Sequence, residues 1–139
     1  MNATTADIRW QQRFQQFQKS FFLLQNALSI SQLSVLERAG VIQFFEMSLE
    51  LSWKLLKDYE EIEGYIAISP RDTIKKAFEW GILSNGHSWM DALSDRNLTV
   101  HTYNEELALK VEEKIRQTYY PLLVDLNRFF EDKLKKTSS

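Results

Sequence analysis

The sequence predicts an all-α fold, and two observations carry that prediction. At 44% hydrophobic and 13% aromatic, with only 4 Gly and 2 Pro in 139 residues, the chain has the apolar content of a compact core and too few turn formers for a sheet sandwich. Apolar residues also recur at alternating spacings of about three and four, the period at which one helix face meets a core. One domain over residues 1–139 is expected, with an ordered core over residues 8–132. A chain of this length buries roughly two-thirds of its unfolded surface.

Residues 1–6 are expected to fray, with Asp7 capping the first helix. Trp10, Phe14, Phe17, Phe21, Leu24 and Leu28 form its buried seam, with glutamines mostly outside it. Ser34 and Glu37 have the spacing of a capping box and open a second helix from about Val35 to Glu63, with Gly64 as the residue that ends it. That helix carries two apolar stripes, one through Val41, Phe44, Leu51, Leu55, Tyr59 and Ile62, the other through Phe45, Leu49, Trp53 and Leu56, which makes it central. Glu46 and Glu50 fall within it at a spacing of four; with no Glu-x-x-His in the chain, they read as solvated or paired carboxylates rather than metal ligands. Ser69-Pro70 starts a short third helix marked by Ile74, Ala77 and Phe78, which stops near Gly81. After the Ser84-Asn85-Gly86 turn, Trp89, Ala92, Leu93 and Arg96 share a face of a fourth helix, and His87 at its start reads as a polar loop histidine. Thr102 and Glu105 suggest a further capping box for the last long helix. Its stripe of Leu107, Val111, Ile115, Tyr119, Leu122, Leu126 and Phe129 passes Pro121, where a kink or short interruption is expected.

Absences narrow the function. Zero Cys removes disulfides and thiolate metal sites and suits a reducing cytoplasm. No leader pattern and no long apolar run are found, so a soluble cytoplasmic protein without membrane contact is expected. A net charge of −2 argues against a general nucleic-acid coat, though a small local site is compatible with it. The sequence has no Gly-x-Ser-x-Gly, no Gly-rich phosphate loop, no His-Glu-x-x-His and no Asp-x-Asp. What survives is acid–base chemistry without metal or cofactor, or no chemistry at all.

The stretch Asp95-Arg96-Asn97-Leu98-Thr99-Val100-His101-Thr102-Tyr103 is the candidate site. It joins a permanent cation, the side chain best suited to move a proton near neutral pH, and a phenol, between two helices. First-turn N–H groups and the helix dipole favour anions at such a place, so it is a plausible phosphate site. Spacing alone admits a blander reading, in which Arg96 pairs with Asp91 or Asp95 on a solvated surface and His101 is a loop residue.

Arg96-Asn97-x-x-x-His101-x-Tyr103 resembles the Arg-polar-(x)-His-x-Tyr motif of the HEPN superfamily, in the branch of nucleotidyltransferase substrate-binding proteins. Further blocks agree: Phe44-Phe45-Glu46-Met47-Ser48-Leu49-Glu50-Leu51-Ser52-Trp53-Lys54, Pro70-Arg71-Asp72, Ala77-Phe78-Glu79 and Trp89-Met90. The resemblance implies an up-and-down antiparallel four-helix bundle with an additional short helix, usually a homodimer whose Arg and His line a shared cleft. It implies a metal-independent ribonuclease toxin acting on RNA, paired with a minimal nucleotidyltransferase antitoxin encoded nearby that silences it by AMPylation. Arg96 would then hold the scissile phosphate, Asn97 would support it, His101 would transfer the proton and Tyr103 would accept AMP. Lacking Asp-x-Asp, the chain would not itself be the transferase. The same family name also implies an alternative, a non-catalytic substrate-binding subunit of a two-component nucleotidyltransferase.

Overall fold

A computed structural model of the chain describes residues 5–97 and 103–138. Helix α1 spans Thr5–Leu28, α2 Val35–Ile62, α3 Pro70–Glu79 and α4 Gly86–Ser94. The last rod consists of α5 (Glu105–Lys114), a π segment (Ile115–Tyr119) and α6 (Tyr120–Ser138), which follow one another without a break. Among the described residues there is no strand, as expected for an all-α bundle.

Partners across the bundle fix its directions. Arg9 pairs with Glu61 at 2.9 Å, Arg13 with Asp58 at 3.1 Å, and the Ser20 and Ser48 hydroxyls lie 2.8 Å apart, so α1 and α2 are antiparallel. α1 meets α6 in the same sense, through Trp10 and Phe14 on Phe130 and a hydrogen bond from Gln25 Nε2 to Tyr120 Oη at 2.9 Å. The short helices α3 and α4 lie against each other and cover α2 and the π segment as the fourth wall.

The α1 seam is buried as expected from Trp10 to Leu24, with Leu28 half-buried at its end. Each fully buried phenylalanine along it stabilises the fold by about 2 kcal/mol relative to exposure. Local signals are also met: Ser34 and Glu37 form the reciprocal capping box, Ser69 Oγ accepts from Asp72 N with Pro70 following, and Gly64 takes the positive φ of 87° that ends α2. Gly86 lets α4 approach α3, since a Cβ there would stand 3.0 Å from the Phe78 ring.

Three expectations need correction. α1 begins at Thr5, ahead of Asp7. α5 is capped by Asn104, whose side chain accepts from Leu107 N at 3.2 Å, and Glu105 turns to Arg38; Thr102 lies outside the described residues. The last apolar stripe is buried at Ile115, Tyr119, Leu122 and Leu126 as expected, but at its ends Leu107 is exposed and Phe129 only half-buried, with Ala108 and Phe130 buried beside them. The rod also departs from regular α geometry at the π segment. Tyr120 N–H reaches back five residues to Ile115 O, inserting one residue just before Pro121, which has no N–H to continue the α pattern. The interruption expected at Pro121 is this turn.

A chain of charges locks the start of the last rod to the α1–α2 loop. Arg38, only 7% exposed, donates to Glu105 Oε1, to Glu112 Oε1 at 2.7 Å and to Leu33 O at 2.9 Å. Arg116 donates to Glu112 Oε2 at 2.7 Å and to the carbonyls of Leu28 and Ile30, each at 2.8 Å. Burial alone would raise the Glu112 carboxyl, but hydrogen bonds from Arg116 and Arg38 outweigh it and hold the group below the usual carboxylate range. Glu60, fully buried, has neither carboxyl oxygen hydrogen-bonded among the described residues, and burial first, then nearby Asp72, pushes it up to about 8. It is therefore mostly protonated at neutral pH.

Because removing one member of a buried charge pair strands the other, Arg38→Ala should lower the unfolding free energy by about 3 kcal/mol. Urea titration followed by circular dichroism checks this, and a midpoint equal to that of the wild type would show that the network contributes little.

Candidate phosphate-binding site

The site is built where α4 gives out. α4 closes with Asp95 as its C-cap, whose N–H bonds Asp91 O at 3.0 Å and Ala92 O at 3.2 Å, and Arg96 and Asn97 follow in a turn. Arg96 thus stands beyond the α4 face on which its spacing had placed it. The Asp95 side chain is taken by Tyr119, whose hydroxyl donates to Asp95 Oδ2 in a short hydrogen bond. Tyr119 comes from the π segment, is buried, and stacks on Phe45 of α2 with ring centroids 5.2 Å apart. Burial first, then the bond to Asp95, raises the ionisation of Tyr119, so it remains a donor throughout the physiological range.

This arrangement answers the blander reading of Arg96. Asp95 is committed to Tyr119, and Asp91 lies 3.7 Å from His87 Nε2. Neither carboxylate forms an ion pair with Arg96 among the described residues. Arg96 and Asn97 are exposed and line two grooves, one on each side. The first, about 430 Å³, is walled by Ser69, Pro70, Arg71, Leu93 and Ser94. The second, about 470 Å³, is walled by Glu46, Met47, Glu50 and Leu51. The turn therefore divides a basic groove from an acidic one, and the basic side suits an anion.

Of the remaining predicted residues, Tyr103 is 82% exposed just ahead of the α5 cap. His101 lies outside the described residues. His87 is a polar surface histidine, as expected, and its neighbour Asp91 supplies a complementary charge that sequence reading overlooked. Glu50 accepts from Trp53 Nε1 at 3.0 Å, and among the described residues no group of three or more His, Asp or Glu is placed to hold a metal. Sequence reading also missed Arg71 and Tyr119 as parts of the site. Pro70-Arg71-Asp72 was visible as a block, but its position beside Arg96 depends on the packing of α3 on α4.

Three comparisons bear on the site. The family model described as "Nucleotidyltransferase substrate binding protein like" matches residues 12–132. The chain is 33% identical over 82 residues to the probable ribonuclease HepT of Haemophilus influenzae, a match covering 55% of this chain and 56% of that protein, so the alignment spans about half the relative's length. A crystal structure of a Thermus thermophilus protein superposes with a TM-score of 0.73 at 33% identity, covering 81% of this chain and 98% of that one.

Tyr119→Phe removes the Asp95 bond while keeping the ring stack, and should destabilise the fold by about 1 to 2 kcal/mol. Urea denaturation reads the loss; an unchanged midpoint would mean that Asp95 is held by something else.

Proposed function

We propose, on the footing that this chain belongs to the nucleotidyltransferase substrate-binding protein family, that it is a HEPN-type ribonuclease toxin restrained by a minimal nucleotidyltransferase antitoxin. The observation that carries the reading is the Arg96–Asn97 turn. It is exposed on an open basic groove, its neighbouring carboxylate is diverted to Tyr119, and it leads directly into the segment bearing His101. The name of the Haemophilus relative, a probable ribonuclease, points the same way.

The chemistry is that of RNA cutting itself. The 2′-hydroxyl attacks the adjacent phosphorus, its proton passes to one imidazole, and the bond to the 5′-oxygen breaks as a second imidazole protonates that oxygen. The products are a 2′,3′-cyclic phosphate and a 5′-hydroxyl. Arg96 meets the negative charge that grows on the phosphate oxygens, and Asn97 supports it. One His101 per chain becomes two in a homodimer, which supplies both acid and base.

Silencing uses Tyr103. On the partner, the Tyr103 oxygen attacks the α-phosphorus of ATP, pyrophosphate leaves, and the phenolic proton passes to a base of the transferase. The AMP adduct places a bulky anion two residues from His101, where it fills the cleft and repels RNA phosphate. Exposure of the phenol is what such an acceptor requires.

Arg96→Ala and His101→Ala should each cut cleavage of single-stranded RNA, assayed with chelator present, by at least about a hundredfold while leaving the helical circular dichroism unchanged. Full activity in either would dismiss the chemistry. The family name also favours a second reading, a binding subunit without catalysis, and no His101-dependent cleavage by the wild type would select it.

Tyr103→Phe should stay active yet escape silencing. Intact-mass spectrometry after incubation with the partner and ATP should show added AMP on the wild type only, and an adduct of equal yield on the variant would remove Tyr103 from the scheme.

A further inference from the structure

We propose that Arg71 forms a second phosphate subsite beside Arg96, so that the chain grips two consecutive phosphates of a single-stranded RNA. The inference deepens the ribonuclease reading and rests on it for the identity of the polymer. Arg71 and Arg96 line the same groove, with Asn97 and Ser94 between α3 and the α4 turn. Its volume of about 430 Å³ lies within the range of ~300–1,000 Å³ typical of sites for small ligands. One phosphate alone would leave much of it empty.

The charge of Arg71 is held in place yet, among the described residues, not paired with a carboxylate. Nη2 donates to Ser94 Oγ at 3.0 Å and Nη1 approaches Met90 Sδ at 3.9 Å, both uncharged acceptors. A guanidinium carries about five N–H donors, so most of the fork remains available to an incoming oxyanion. The carboxylate next to it in sequence is engaged on its far side: Asp72 accepts from Tyr65 Oη at 2.6 and 2.8 Å and from Ile68 N at 3.0 Å. These bonds, the Tyr65 bond foremost, hold Asp72 below its usual range, so it stays a committed carboxylate. Asp95 is likewise committed to Tyr119. Two arginines thus share a groove with no acid among its lining residues, the carboxylates next to them in sequence are hydrogen-bonded by tyrosines, and the N-terminus of α3 adds its positive dipole end to the same wall. Successive phosphates of a flexible single strand suit two cations lining one groove better than one isolated anion does.

The test is binding of non-cleavable 2′-O-methyl oligonucleotides by the full chain, comparing a dinucleotide with one phosphate and a trinucleotide with two. The wild type should bind the two-phosphate probe about tenfold more tightly, the advantage expected of one charge-assisted contact. Arg71→Ala should erase that advantage and reduce the salt slope of trinucleotide binding by about 0.7. Arg71→Lys, which keeps the charge and loses the fork, should recover part of it. Arg128→Ala, removing an exposed cation of α6 that is 72% exposed, controls for net charge and should change neither quantity. The subsite is overturned if Arg71→Ala keeps the advantage and the slope, or if Arg128→Ala loses as much. Should the wild type show the advantage yet cleave no RNA, the subsite stands and the ribonuclease reading falls. Should it cleave RNA yet bind both probes alike, the reading stands and the subsite falls.

Discussion

The hydrogen bond from Tyr119 to Asp95 is the constraint on which the site depends. It reaches from the one non-α turn of the last rod to the residue that ends α4, and so fixes where the following arginine emerges. The same bond occupies one oxygen of the carboxylate next to Arg96 in sequence, and no ion pair joins the two among the described residues. A surface Arg–Asp pair contributes little to stability, but here it would cancel the charge a phosphate needs. Engaging Asp95 on the buried Tyr119 therefore serves fold and candidate site together. The cost of burying a phenol is offset by its stack on Phe45 and by the satisfied hydroxyl.

The π segment makes that bond geometrically available. Tyr119 lies within the one-residue insertion before Pro121, buried on the core side of the rod, and Leu123 and Phe130 beyond it are buried as well. Segments of this kind recur at functional positions because they re-aim a side chain without breaking a helix. At the other end of α5, Arg38 and Arg116 clamp Glu112 and the α1–α2 loop. The candidate segment is thus bracketed by the Tyr119–Asp95 bond on its α4 side and by the arginine clamp on its α5 side. Both rest on a buried residue, Tyr119 in one case and Arg38 in the other, so the scaffold around an exposed site is held by contacts that are at least partly shielded from water.

What could be read directly from the sequence was whatever is decided within a few residues. The α1 seam, the Ser34–Glu37 box, the Ser69-Pro70 start and the Gly64 stop all depend on local periodicity or on a cap, and all were legible. The α5 cap was not, because Glu105 is drawn to Arg38, a partner far away in sequence, leaving Asn104 to satisfy the first turn. Pro121 announced an interruption but not that it would take the form of an insertion, while the stripe through Ile115, Tyr119, Leu122 and Leu126 was legible. At the site, the residue types of the Arg96–Tyr103 stretch were legible, while the fate of Asp95 and the arrival of Arg71 were not. Each depends on a tertiary contact, between α4 and the π segment in one case and between α3 and α4 in the other.

The account's central claim is that Asp95 and Tyr119 act as one unit in presenting Arg96. A double-mutant cycle of Asp95→Ala and Tyr119→Phe, read as the rate of RNA cleavage by the full chain, tests it most directly. The account predicts that each substitution slows cleavage and that the double variant is no slower than the more impaired single one. Losses that multiply, or no loss in either single variant, would contradict it.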